Sequence, residues 1–195
     1  MSPRTATGAA VLRTEITRDI SRAVFDELVE HGYARVSMEA VAKRAGVGKS
    51  ALYRRWPGKR DMVIAVLADF SVPRAVLPDT GSLRGDVLAL LHGLHEWVTH
   101  PAFGRILADL VAEANRDPGL AEATHAAVGE PRRALAADIL HRAIARDELP
   151  ADLDVDVALD VLAGPLYWRV GVRSTPATPD YLDRLADFVL RALGA

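Results

Sequence analysis

Between Gly32 and Arg60 the chain concentrates side chains that bind phosphate and the edges of nucleic-acid bases. The stretch from Arg35 to Arg60 holds eight Lys or Arg and a single acid, Glu39, so its formal charge is +7, and all three lysines of the chain lie in it. Ammonium and guanidinium groups neutralise phosphates, while Lys, Ser and small apolar side chains contact base edges in the major groove. These residue types predict a surface for double-stranded DNA.

The same stretch begins with the pattern of a short helix and a tight turn. Ser37 can cap a helix whose apolar residues follow at helical spacing: Met38, Val41 and Ala42. This helix would end at Gly46, which takes the left-handed conformation of a tight inter-helix turn at little steric cost. The pattern predicts the first half of a helix-turn-helix unit.

A second helix is predicted from Gly48 to Trp56, with a narrow buried seam. Only Leu52 and Trp56 repeat at a spacing of four residues. The outer face of this helix is therefore cationic, hydroxylated and aromatic, and consists of Lys49, Ser50, Tyr53 and Arg54.

These residues resemble a known family. The run A-x-x-A-G-V-G-x-S-x-L-Y-R-R-W-x-x-K-x-x-M is similar to the amino-terminal domain of TetR-type transcriptional repressors, and the resemblance covers about residues 12–70. It implies an all-helical homodimer whose larger carboxy-terminal domain binds a small effector. Position by position, it implies groove contacts from Lys49, Ser50, Ala51 and Tyr53 and phosphate contacts from Arg54, Arg55 and Lys59. Gly48 departs from the pattern, because a capping Ser is usual there, so we expect the second helix to lack a side-chain cap and to be ordered partly by DNA.

Charge separates the two ends of the chain. The formal charge is −2 overall, but +4 over residues 1–70 and −6 over residues 71–195, so only one end suits a polyanion. The absence of cysteine excludes disulfides and thiolate metal sites and fits a reducing compartment. No apolar run is long enough for a signal peptide or a membrane span. A cytoplasmic protein without a membrane partner is expected.

Apolar periodicity predicts an all-α chain of about nine helices. We divide it into a disordered tail (1–11), a three-helix helix-turn-helix DNA-binding domain (12–57), a connecting helix (58–72) and a larger effector-binding and dimerisation domain (73–195). The first helix is expected from Thr14 to His31, with Gly32 as its C-cap. The connecting helix, from Lys59 to Phe70, is the natural lever between DNA and effector.

The last two predicted helices have apolar faces that are wide for a single packing partner. We predict that they form a four-helix bundle with a second subunit, which would place two readers about 34–36 Å apart on a palindromic operator. A terminal helix packed wholly within its own subunit is the alternative. The predicted interface residues are Leu159, Leu162, Tyr181, Leu182, Leu185, Phe188 and Val189.

The family resemblance also implies a cavity for an effector in the second domain. Large side chains available to line it are Leu94, Trp97, Phe103, Leu107, Leu166, Tyr167 and Trp168. For each of them, ordinary packing in the core or at the dimer interface is the alternative. Because these apolar stripes carry few charges, an uncharged, rather apolar effector is expected.

Other motifs favour simpler interpretations. The tripeptide 48–50, Gly-Lys-Ser, looks like the end of a phosphate-binding loop, but Lys43 stands where that pattern needs Gly. His92 and His95 have the spacing of two metal ligands on a helix, but they flank the apolar stripe without a third ligand, so we predict no metal and no cofactor. No catalytic constellation emerges.

The prediction is a ligand-responsive transcriptional repressor, not an enzyme. The alternative is a helical small-molecule-binding protein or enzyme that uses the helix-turn-helix only as a scaffold. The +7 stretch argues against this alternative, because a scaffold has no need of it. The sequence does not distinguish a transcriptional activator from a repressor.

Overall fold

The computed structural model describes the backbone of residues 8–75 and 79–195 and the side chains of residues 15–73 and 79–195. Within these ranges the chain is helical and contains no β-strand. The helices are α1 Gly8–Arg35, α2 Met38–Arg44, α3 Lys49–Tyr53, α4 Lys59–Ser71, α5 Leu83–Thr99, α6 Phe103–Ala114, α7 Pro118–Thr124, α8 Glu130–Ala145, α9 Val155–Tyr167 and α10 Pro179–Leu193. A 3-10 turn, Val72–Ala75, follows α4, and π-helical turns join α7 to α8 (His125–Gly129) and extend α9 (Trp168–Val172). Counting α7 and α8 as one continuous rod, the described residues form nine helices, as predicted.

The first helix is interrupted at the glycine that the sequence predicts as its end. Gly32 has φ 72° and ψ 164°, a conformation that strongly favours glycine. A Cβ atom there would also lie 3.1–3.3 Å from the Asp109 carboxylate. At its other end, α1 begins at Gly8 instead of Thr14, so residues 8–11 of the predicted tail are helical, and residues 1–7 lie outside the described residues.

The helix-turn-helix has the predicted local structure. The Ser37 hydroxyl accepts a hydrogen bond from the Ala40 N–H at 3.1 Å, and Gly46 has φ 66° at the turn. Gly48 precedes α3 without a side-chain cap. The second helix is shorter than predicted, because the chain tightens after Tyr53, where the Arg55 N–H bonds to the Leu52 carbonyl at 2.8 Å.

The helix-turn-helix and connecting helices share one apolar core with α6 and α7. Its members include side chains with little or no solvent exposure from both parts of the chain, among them Ile20, Val24, Leu52, Met62, Phe103, Ile106, Leu110 and Leu120. The helix-turn-helix therefore packs directly on helices that the sequence division assigns to the effector domain.

A second core lies between α5, α8, α9 and α10. It contains most of the residues that the sequence predicted at the dimer interface. Five of the seven predicted residues are buried within their own subunit: Leu159, Leu162, Leu182, Leu185 and Val189. Helix α10 packs along α5, which covers its broad apolar stripe. These five side chains cannot present an apolar surface to a second subunit. Tyr181 is half-buried beneath the Arg169 guanidinium, and Phe188 is 60% exposed.

The exposed large apolar side chains concentrate on the last two helices. Among the described residues they are Tyr53, Val111, Val157, Trp168, Val172 and Phe188, and the last four belong to α9, its π-helical extension and α10. No described helix combines the length and the apolar character needed to cross a membrane.

Replacing Leu185 tests the packing of α10. Leu185→Ala should lower the free energy of unfolding by about 2–5 kcal/mol, because it leaves a cavity in the second core. Urea denaturation followed by circular dichroism measures this change. Arg184→Ala, at the adjacent exposed position, is the control and should change stability by less than about 0.5 kcal/mol. If Leu185→Ala had the same free energy of unfolding as the wild type, the assignment of Leu185 to the core would be wrong.

Candidate nucleic-acid interface and ligand cavity

Helix α3 presents the predicted outer face to solvent. Lys49, Ser50, Tyr53 and Arg54 are exposed, and Tyr53, a large aromatic side chain, is 55% exposed. Leu52 faces inward and is fully buried in the first core. One short helix thus combines a single apolar anchor with a cationic, hydroxylated and aromatic surface, which is the composition that base edges and phosphates require.

Two basic residues of the +7 stretch already have acidic partners. Lys49 Nζ lies 2.7 Å from Glu39 Oε1, and this contact lowers the pKa of the Glu39 carboxyl. Both side chains are exposed, so solvent screens the pair and a phosphate or base can replace Glu39. Arg44 is different: its Nε donates to the buried Glu27 at 2.7 Å and its Nη1 to Glu30 at 2.8 Å. Arg44 therefore fastens α2 to α1.

Of the three predicted phosphate contacts, only Arg54 is fully exposed. Arg55 is half-buried and its Nη1 donates to the Ala51 carbonyl at 2.9 Å, within the turn that ends α3. Lys59 Nζ donates to the carbonyls of Tyr33 and Ala34 at 3.0 and 3.3 Å and lies 4.4 Å from the centre of the Tyr33 ring. Lys59 thus ties the start of α4 to the end of α1, with one ammonium donor left for a phosphate.

The break in α1 is also held from the other side. The Tyr33 N–H, which the Gly32 conformation turns out of the helix, donates to Asp109 Oδ2 at 2.6 Å. Asp109 belongs to α6, so this hydrogen bond joins α1 to the second half of the chain. Together with the Lys59 contacts, it supplies partners to the backbone groups that the break would otherwise leave free.

A cavity of about 300 Å³ lies between α5, the α7–α8 segment and α9. Its lining residues are Ala89, Leu90, Gly93, Leu94, Trp97, His125, Val128, Gly129, Arg132, Arg133, Ala136, Leu159, Leu162 and Ala163. The wall is mainly apolar, with a few polar groups, which is the usual composition of small-molecule sites.

Two of the seven predicted pocket residues, Leu94 and Trp97, line this cavity. The other five lie elsewhere, because the helices rotate them into packing positions. Phe103 belongs to the first core, Leu166 to the second, and Leu107 packs against both. Tyr167 packs against the second core, and Trp168 is 58% exposed at the surface.

Sequence reasoning missed the wall contributed by the α7–α8 segment. Val128, Arg132 and Ala136 recur every four residues and therefore lie on one helical face. The signal that could have indicated this wall is a charged residue, Arg132, on the same helical face as two small apolar residues, Val128 and Ala136. The π-helical turn His125–Gly129 reaches the same cavity, and such turns are frequent at functional sites.

Arg132 connects the cavity to helix α4. Its guanidinium carbon lies 4.1 Å from the centre of the Trp97 ring, and Nη1 donates to the carbonyl of the buried Ser71 at 3.0 Å. Ser71 is the last residue of α4, where a cation is favourable for the helix dipole. Burial lowers the pKa of Arg132 to about 10. The expectation of an uncharged effector was based on apolar stripes with few charges, whereas the cavity wall contains Arg132 and Arg133.

An aromatic chain leads from the cavity into the first core. The ring centres of Trp97 and Phe103 lie 4.7 Å apart, those of Phe103 and Phe70 5.3 Å, and those of Phe70 and Phe25 4.8 Å. These rings belong to α5, α6, α4 and α1 in turn. Trp97 is therefore connected to α4 through direct ring contacts.

Comparison with known families places both halves of the chain. A family model described as bacterial regulatory proteins, tetR family, matches residues 20–66. A second, described as tetracyclin repressor-like, C-terminal domain, matches residues 77–189, more than half of the chain. The chain belongs to the TetR family of transcriptional regulators.

Relatives of this TetR-family regulator match along most of their length. The chain is 36% identical over 163 residues to the HTH-type transcriptional regulator Mb1581 of Mycobacterium bovis, covering 84% of this chain and 80% of that protein. It is 31% identical over 168 residues to the DNA-binding transcriptional repressor TetR of Mycobacteroides abscessus, covering 85% and 87%. A solved structure, TetR family transcription regulator SCO0332, superposes with a TM-score of 0.74 at 32% identity, covering 91% of this chain and 97% of the other.

These matches decide the class of function. The relatives are DNA-binding transcriptional regulators and not enzymes, so this TetR-family chain is a DNA-binding regulator, as the sequence predicted. The alternative that the helix-turn-helix is only the scaffold of an enzyme is thereby rejected.

Lys59 gives a test of the link between α1 and α4. Lys59→Met should lower the free energy of unfolding of the DNA-free protein by about 1 kcal/mol, because the Tyr33 and Ala34 carbonyls lose their donor. Urea denaturation measures this loss, and Lys43→Met, at an exposed position of α2, is the control. If Lys59→Met altered only the salt dependence of DNA binding, Lys59 would be a phosphate ligand without a structural role.

Proposed function

We propose that this TetR-family regulator is a repressor that binds a palindromic operator as a homodimer and is released by a small-molecule effector. The observation that carries the proposal is the connection between the two sites. The wall of the cavity includes Arg132, which is hydrogen-bonded to Ser71 at the end of α4. The first residue of α4, Lys59, is hydrogen-bonded to the end of α1. The related Mycobacteroides abscessus protein is named as a repressor, which favours repression over activation.

In this proposal the chain divides as its sequence suggests. Residues 12–57 bind DNA, residues 73–195 bind the effector and a second subunit, and residues 58–72 connect these two parts. The protein would act in the cytoplasm. Helix α3 would contact base edges through Lys49, Ser50, Ala51 and Tyr53. Phosphates would be contacted by residues that follow it in the chain: Arg54, Arg55 and Lys59. Arg54 supports this assignment best among the phosphate contacts, because it is exposed and a guanidinium can make bidentate contacts with phosphate.

The dimer would form through the exposed apolar side chains of the last two helices. Trp168, Val172 and Phe188 are each more than half exposed, and two of them, Trp168 and Phe188, are large aromatic side chains. Exposed apolar clusters mark interaction surfaces, and a two-fold interface would pair this surface with itself. Movement of α4 would then change the separation of the two α3 helices, so that one half-site, and with it the gain from bivalent binding, is lost.

The decisive experiment selects bound duplexes from a random pool at two salt concentrations and sequences them. A palindrome with half-sites about one helical turn apart and a steep salt dependence is expected. Weak, unselective binding at both salt concentrations would refute the role of α3 as a specific reader.

Substitutions on α3 should separate base contacts from phosphate contacts. Lys49→Ala and Tyr53→Ala should each cost about 1–3 kcal/mol of operator affinity and relax base preference. Arg54→Ala should weaken binding to all sequences alike and reduce the slope of log affinity against log salt by about one unit. Fluorescence anisotropy with operator and scrambled duplexes measures both effects. Equal losses on both duplexes for all three variants would overturn the division of roles.

The dimer surface is tested with Phe188→Glu. A charge at this exposed position should leave the subunit folded but split the dimer, because the carboxylate would be buried between subunits. Sedimentation velocity measures the subunit mass. Val111→Glu, which alters an exposed apolar residue of α6, is the matched control and should remain dimeric. A fully dimeric Phe188→Glu protein would place the interface elsewhere.

A further inference from the structure

The charged groups around the cavity leave one cation without an anion. Arg133 donates to Asp160 at 2.8 Å and also contacts Asp156, while His125 Nε2 lies 2.7 Å from Glu130 Oε1. Arg132 contacts no Asp or Glu of the described residues, and the remainder of the chain contains neither. No acid is among the described residues that line the cavity.

The cavity therefore offers a positive charge inside an apolar wall. We propose that its ligand is a small organic carboxylate with an apolar body, and that the carboxylate binds the Arg132 guanidinium. This inference rests on the proposed function, because it names the chemical class of the effector.

The guanidinium of Arg132 has the right groups available. Its Nη1 is used by Ser71, whereas Nε and Nη2 have no acceptor among the described residues. Its face stacks on Trp97, which holds the plane of the fork in position. A carboxylate matches two parallel N–H donors of a guanidinium and makes a bidentate, charge-assisted contact. The pKa of Arg132, lowered by burial, agrees with a cation that lacks such a partner.

The rest of the wall determines the size and polarity of the ligand. The cavity of about 300 Å³ is at the small end of ligand sites, which favours a small ligand over a bulky polyanion such as a nucleotide. Leu90, Leu94, Val128 and Leu162 would surround the apolar body. Trp97 also lines the cavity, and its buried indole N–H has no acceptor among the described residues, so it can donate to an oxygen of the ligand.

Arg132 would also transmit binding to the DNA-reading helices. One edge of its guanidinium holds the Ser71 carbonyl at the end of α4, and the ligand carboxylate would bind the other edge. Any shift of the guanidinium toward the ligand changes its bond to α4. Ligand binding and α4 position are therefore coupled through a single side chain, as release of DNA requires.

Calorimetry on the full-length DNA-free protein tests the ligand class with three carboxylates and their carboxamides: octanoate, 3-phenylpropionate and indole-3-acetate. In each pair the apolar body is the same, so only the charge differs. At least one carboxylate should bind roughly tenfold more tightly than its amide, as one charge-assisted contact predicts. If no carboxylate binds better than its amide, the proposal is overturned.

Two arginines of the same wall give a matched pair of variants. Arg132→Gln should abolish the preference for carboxylate over amide, and Arg133→Gln should retain it, because Asp156 and Asp160 already neutralise Arg133. Arg132→Lys keeps the charge but lacks the planar pair of N–H donors, so it should retain part of the preference for carboxylate. This variant replaces Arg132→Gln in the test if the Gln variant fails to fold. Loss of the preference in Arg133→Gln alone would overturn the assignment to Arg132.

Release of operator DNA, followed by anisotropy, separates this inference from the proposed function. Equal release by carboxylate and amide would overturn the anion assignment while effector control stands. A carboxylate that binds through Arg132 without releasing DNA would overturn the coupling step and the effector role, while the ligand class stands.

Discussion

The structure depends on the break in α1 at Gly32. A positive φ at this position turns the Tyr33 N–H out of the helix and toward Asp109 of α6, and it leaves the following carbonyls to Lys59 of α4. Three helices from distant parts of the chain therefore meet at one interruption of the backbone. Because unpaired backbone groups are costly when buried, the break and its partners stabilise one another.

In the proposed mechanism, this arrangement would let a ligand in the cavity influence the distant surface of α3. The helix-turn-helix shares its core with α6 and α7, and the aromatic rings of Trp97, Phe103 and Phe70 connect that core to the cavity wall. A second route is polar and passes from Arg132 to Ser71 at the end of α4. Both routes converge on α4, so its position is the quantity that ligand and DNA would both influence.

The local features of the DNA reader could be predicted because they depend on neighbouring residues. Ser37 caps α2, Gly46 makes the turn and Leu52 anchors α3, each through contacts within a few residues or through a simple apolar spacing. The bonds of Lys59 could not be predicted in this way, because its partners lie 25 and 26 residues earlier in the chain. Position in a motif identifies a residue type but not its tertiary contacts.

The sequence alone determined the helical class, the reader and the charge asymmetry, because periodicity, capping and charge are properties of short segments. Tertiary structure decided which apolar stripes face one another. The stripe of α10 that suits a dimer packs on α5 of its own subunit, and α8, not α6, supplies the charged wall of the cavity. An amphipathic helix shows which face is buried but not what buries it, since every apolar surface gains from burial against any other.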